Sequence, residues 1–139
     1  MIVQEFTIDD YDWKVKIYYS MSYYPLEEII KDLNDLGCSS DDIEETIDLL
    51  DSKKYDAGVT HSNIYERRSV IIISPSSSAE EFFNTIIHEI GHITIHISIA
   101  DGIDPFSEEL QYLSGYIGKE AFKVCEKLLC NKCRKALDI

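Results

Sequence analysis

Ser78-Ala-Glu-Glu-Phe-Phe-Asn-Thr-Ile-Ile-His-Glu-Ile-Gly-His-Ile-Thr-Ile-His-Ile-Ser-Ile-Ala100 is the stretch around which the rest of the chain can be placed. Ser78-x-x-Glu81 has the form of a capping box, so a helix starts here. Phe82, Phe83, Ile86, Ile87 and Ile90 carry it to about Ile97 or Ile99, and Asp101-Gly-Ile-Asp-Pro105 ends it. A final long helix follows from about Ser107 to Leu129. Before the stretch, Ser69-Val-Ile-Ile-Ile-Ser74 is a β-branched run that suits a strand covered on both faces. Gly58 to Tyr65 alternates and suits an edge position. Further upstream, residues 2–21 read as two strands joined near Asp9–Asp12. A helix follows, with Pro25 in its first turn, Leu26, Ile29, Ile30, Leu33 and Leu36 at helical spacing, and Gly37 at its end. A shorter helix over about Asp41–Leu50 turns Ile43, Ile47 and Leu50 inward. Strands and helices mix without a regular βαβ alternation, which is an α+β layout.

Length and composition bound the rest. The chain has 139 residues, 45% of them hydrophobic and 28% charged, which suits one domain with its own core. Its parts are a hairpin with two helices over 1–54, a strand and site core over 55–122, and a basic, cysteine-containing tail over 123–139. Lys and Arg number 13 against 26 Asp and Glu, a net charge of -13. Such a surface repels phosphate backbones, so nucleic acid is excluded as a partner. No run approaches the ~20 apolar residues of a membrane span, because three histidines break Ile86–Ala100. Without a secretory pattern at the start, and with four cysteines, the expected setting is a reducing cytoplasm.

His88-Glu89-Ile90-Gly91-His92 is an H-E-x-x-H sequence inside the expected helix. Imidazoles at i and i+4 lie on one face, one turn apart, and can share one zinc ion per chain. Glu89 stands one residue round from His88, where a carboxylate can take the proton of a water acidified by the metal. Gly91 suggests a close backbone approach to this helix, and Asn84 falls one turn before His88 on the same face. A catalytic zinc asks for three protein ligands. His96 cannot join His88 on a straight helix, since eight residues advance about 12 Å. The metzincin arrangement is excluded, because Ile95 and Ser98 occupy its glycine and histidine places. The third ligand is therefore expected from the next helix, where Glu108 and Glu109 both stand in the first turn. Candidates for an oxyanion donor or an outer partner are Tyr112, Tyr116, His96 and His61.

His88-Glu-Ile-Gly-His-Ile-Thr-Ile-His96 resembles the H-E-x-G-H-x-x-x-H signature of the ImmA/IrrE-type zinc peptidases, a gluzincin-like group. Glu108-Glu-Leu-Gln-Tyr-Leu-Ser-Gly-Tyr-Ile117 is similar to small metallopeptidases of phages and integrated elements. The likeness covers roughly residues 55–120. It implies a minimal zincin-like domain, with a small antiparallel or mixed sheet packed on the H-E-x-x-H helix and a long following helix. It selects Glu108 as the third ligand, four residues before the aromatic Tyr112. It also implies a protein substrate, such as a repressor of a mobile element, pairing with Thr60–Tyr65 as an added strand. The expected function is zinc-dependent hydrolysis of peptide bonds with Glu89 as general base. The alternative is a catalytically silent zincin-fold binding or regulatory protein of a phage or mobile element.

Cys125, Cys130 and Cys133 form C-x4-C-x2-C in the tail, and a structural zinc there needs a distant fourth ligand such as Cys38. Simple packing and exposed thiols are the expected outcome. Lys119, Lys123, Lys127, Lys132, Arg134 and Lys135 make this end basic, for which a solvated helix face is the simpler account and docking on the acidic Asp41–Asp51 helix, within or between molecules, the other.

Overall fold

The computed structural model describes residues 2–19, 25–136 and 138, without the side chain of Cys133. Strand β1 (Ile2–Ile8) turns through a short 3-10 segment into β2 (Trp13–Tyr19), with Asp12 left-handed at φ 47°. Helices α1 (Leu26–Leu36) and α2 (Ser40–Asp51) follow, then β3 (Gly58–Asn63) and β4 (Arg68–Ile73). The chain continues with α3 (Ala79–Asp101), α4 (Glu108–Cys125) and the short α5 (Asn131–Ala136). The four strands form one mixed sheet in the order β1-β2-β4-β3. The outer pairs are antiparallel and the central pair β2–β4 is parallel. This is an α+β arrangement, with β3 at an open edge among the described residues.

Alternation along β2 and β4 builds a core on each face. Trp13, Val15, Ile17, Tyr19, Ile71 and Ile73 meet Ile86, Ile90, Ile93 and Ile97 of α3 and Leu110, Leu113, Ile117 and Ala121 of α4. On the other face, Tyr18, Val70 and Ile72 meet Ile29, Leu33 and Leu36 of α1 and Leu50 of α2. Residues Val70–Ile73 are buried throughout, as a doubly covered strand requires. Gly37 closes α1 at φ 88°, a left-handed conformation that favours glycine. In α2 the inward face differs from the expected one. Thr46 is buried beside Leu50, while Ile43 and Ile47 are half-buried.

The C-terminal end departs further from expectation. α4 stops at Cys125, and a turn of 3-10 helix leads to α5. Arg134 Nη1 donates to the Glu126 carbonyl at 2.9 Å, which also accepts from the Leu129 N–H at 3.3 Å where the helix breaks. Cys125 is buried in the α3–α4 core, with Sγ 3.7 Å from Tyr19 Oη. Burial pushes its thiol pKa up, which suits packing rather than reactivity. Cys38 packs on the opposite face of the sheet, so it is not a fourth tail ligand. The same separation puts the basic tail away from α2: Leu129 and Ala136 line a groove with Ala79, Phe82 and Phe83 of α3. The expectation for Cys133 lies outside the described residues. No helix among those described is long and apolar enough to cross a membrane.

Candidate metal centre

The sequence of α3 positions the site before any tertiary contact is made. Ser78 accepts from the Glu81 N–H at 3.1 Å to start the helix, and Gly102 ends it at φ 65°. The last turn reaches Asp101, two residues past the expected end, where Arg67 holds both carboxylate oxygens at 2.9 and 2.8 Å. Ile86, Ile90, Ile93 and Ile97 turn into the core, which fixes the rotation of the helix about its axis. That rotation leaves His88 and His92 on an exposed flank and puts Glu89 beneath it, only 3% exposed.

His88 Nε2 and His92 Nε2 lie 3.1 Å apart. Two imidazole nitrogens bound to one tetrahedral zinc at ~2.05 Å stand about 3.3 Å from each other, so the pair matches that ion. The ligand atoms of His88, Glu89 and His92 all fall within 4.8 Å of one another, and among the described residues no other such group of His, Cys, Asp and Glu forms. Two imidazoles and a carboxylate also suit other divalent ions.

Glu89 is held from β3. Thr60 Oγ1 donates to Glu89 Oε2 at 2.6 Å. Gly58 faces the same carboxylate so closely that a Cβ there would lie 2.8 Å from Cγ and 2.9 Å from Oε1. Ser62, two residues on, pairs with His96 Nδ1 at 2.7 Å and with Ser69 Oγ at 2.6 Å, and Trp13 Nε1 donates to Ser69 at 2.9 Å. The order Trp13 to Ser69 to Ser62 to His96 satisfies each donor once and leaves the His96 proton on Nε2. His96 stacks on His92 with centroids 6.4 Å apart. Burial is the main cause that lowers its pKa, with His92 and His61 adding to it. His96 thus stands beside His92 and outside the metal group.

No family model, curated protein or solved structure matches the chain. The site is therefore read from its own atoms.

Those atoms correct several expectations. Glu108 and Glu109 do not join the histidines. From His92, α3 runs nine residues to Asp101, an advance of about 13 Å, before the chain turns back into α4. α4 also lies over the β1 side: Gln4 Nε2 donates to the Glu120 carbonyl at 2.7 Å, and Tyr11 Oη to Glu109 Oε1 at 2.9 Å. The histidines lie on the exposed flank of α3, and Glu89 beneath them turns to β3. Tyr11 itself is pushed up to about 12 by burial, then by Glu109. Tyr112 and Tyr116 line a cleft with Asp9, Asp10 and Glu109, apart from the group that His88, Glu89 and His92 form. His61 points to the opposite face of the sheet, where its Nε2 meets Thr46 Oγ1 at 3.0 Å. Because Thr46 donates onward to the Asp42 carbonyl at 2.9 Å, His61 fastens β3 to α2 as an N–H donor. Burial lowers its pKa.

Gly91 has open space where its side chain would stand, and Asn84 is exposed. The close approach occurs at Gly58 instead. A glycine opening an alternating strand was the available signal, and nothing local marks Thr60. Replacing Glu108 or Glu109 with alanine is expected to change zinc affinity by less than about twofold, ~0.4 kcal/mol. Competition with a chromophoric chelator measures this. A tenfold loss in either variant would put that residue back among the ligands.

Proposed function

We propose that the chain is a metal-dependent peptidase with a minimal zincin-like fold. It hydrolyses peptide bonds of a protein substrate laid in extended form along β3. The observation that carries this reading is the convergence of His88, His92 and Glu89 on the flank of α3 beside the open edge of β3. His88 and His92 would hold the ion, zinc being a good match for their spacing. When bound, zinc supplies a Lewis acid that polarises a carbonyl and brings the pKa of water towards ~7. Glu89 is the general base, kept close to the pair yet tied to β3 by Thr60. The outer edge of β3 offers main-chain groups that an extended segment can pair with, which gives affinity with little dependence on its sequence.

The test is direct. Purified protein should take up one zinc per chain and cut an unfolded polypeptide, lose that activity to a chelator and regain it with zinc. Zinc-loaded protein that leaves unfolded polypeptides intact would reject the hydrolytic reading.

A second reading has one observation in its favour. Among the described residues, the third donor beside the two histidines is Glu89 itself. If Glu89 ligates the ion, no base remains, and the protein is a catalytically silent binding or regulatory module of a phage or mobile element.

A further inference from the structure

A carboxylate as deeply buried as Glu89 is costly unless its surroundings hold it. Two residues of one strand do so. Thr60 donates to Oε2 at 2.6 Å, and the bare α-carbon of Gly58 makes room for Cγ and Oε1, which lie 2.8 and 2.9 Å from where a methyl would stand. The phase of the β3–β4 ladder gives these residues a second property. Gly58 pairs with Ile73, so Ala57 stands opposite Ser74, and the Ser74 N–H donates to the Ala57 carbonyl at 2.8 Å. In an antiparallel pair this alternates by two, so Val59, His61 and Asn63 turn their main-chain groups towards β4. Gly58, Thr60 and Ser62 turn theirs to the open edge.

We propose that Thr60 is the positioning residue for Glu89 and Gly58 the gap that admits it, on the strand whose open edge receives the extended substrate. This rests on the reading of Glu89 as general base. The residues whose main chain would pair with an incoming segment are the same ones whose side chains set the carboxylate and His96. Docking a segment and aligning the base are then one event. A shift of β3 along its own axis carries Thr60, and with it the oxygen that Glu89 leaves free.

The experiment loads one equivalent of cobalt(II) into the parent, Thr60→Val, Thr60→Ser, Gly58→Ala and Glu89→Gln, and records the visible bands. Thr60→Val keeps the shape and loses the hydroxyl. It is expected to displace the bands in the same sense as Glu89→Gln, with cobalt affinity within about threefold of the parent. Thr60→Ser restores them. In peptide cleavage, Thr60→Val should lower kcat about 10–100-fold with KM within about twofold, as loss of an outer partner does. Gly58→Ala should give the larger loss, and if it fails to fold the threonine pair still decides. A Thr60→Val protein matching the parent in both bands and kcat, while Glu89→Gln departs, overturns the positioning role and leaves the base role standing. A parent that binds cobalt and cleaves nothing removes hydrolysis, and the bands alone then judge Thr60. A parent that binds no cobalt overturns both.

Discussion

His92→Ala is expected to lower zinc affinity at least about 100-fold, beyond the 10–100-fold typical of losing an outer partner of a metal site. The histidines would hold an ion by chelation from adjacent turns, with Nε2 atoms already 3.1 Å apart. Removing one leaves a single imidazole and a buried carboxylate that Thr60 already engages. The fold should be indifferent, because His92 is exposed and the hydrogen bond it gives up is to His88. Urea denaturation of the metal-free variant should agree with the parent to within about 0.5 kcal/mol, the usual effect of a surface substitution. Chelator competition reads the affinity. Unchanged binding in both His92→Ala and His88→Ala would move the metal site elsewhere or remove it.

Glu89→Gln carries the second large effect, and it separates the two functions. Glutamine preserves the volume beside Gly58 and an oxygen that can accept from Thr60, so the local packing survives. It cannot take a proton. A general base contributes about 10²–10⁴-fold to the rate, so if Glu89 has that role cleavage should fall by that factor while zinc affinity stays within about threefold. If Glu89 is instead a ligand, affinity falls as it does for His92→Ala, and there is no cleavage to lose. Zinc titration and a cleavage assay on the same preparation give both numbers.

What could be read from the sequence was what local chemistry decides. The turn near Asp9–Asp12, the Gly37 stop, the Ser78 cap and the doubly covered Val70–Ile73 strand depend on residues within a few positions of one another. His88, Glu89 and His92 belong to the same class, since one helical turn brings them together without help from the rest of the fold. The errors arise where a second element is needed. Glu108 and Glu109 had the right residue type and a plausible spacing, but spacing does not say on which flank of α3 the returning helix packs. The contact of α4 with β1 decides that, through groups such as Gln4 and Glu120 that no local pattern links. The close approach expected at Gly91 falls at Gly58 for a related reason: the atom that would collide belongs to another element. Thr46 and His61 meet between α2 and β3 for the same non-local reason.

A strand at the edge of a sheet is also a template for the wrong partner. Gly58-Val-Thr-His-Ser-Asn63 has no lysine, no proline and no charge of either sign, which are the common guards against copies of a protein stacking side by side. Brevity offers some protection, at six residues. The remaining guard is the molecule as a whole: with a net charge of -13, two copies approaching edge first repel before their backbones can zip together. The acidity is thus insurance against fibre-like self-association, and concentrated salt or acid weakens it.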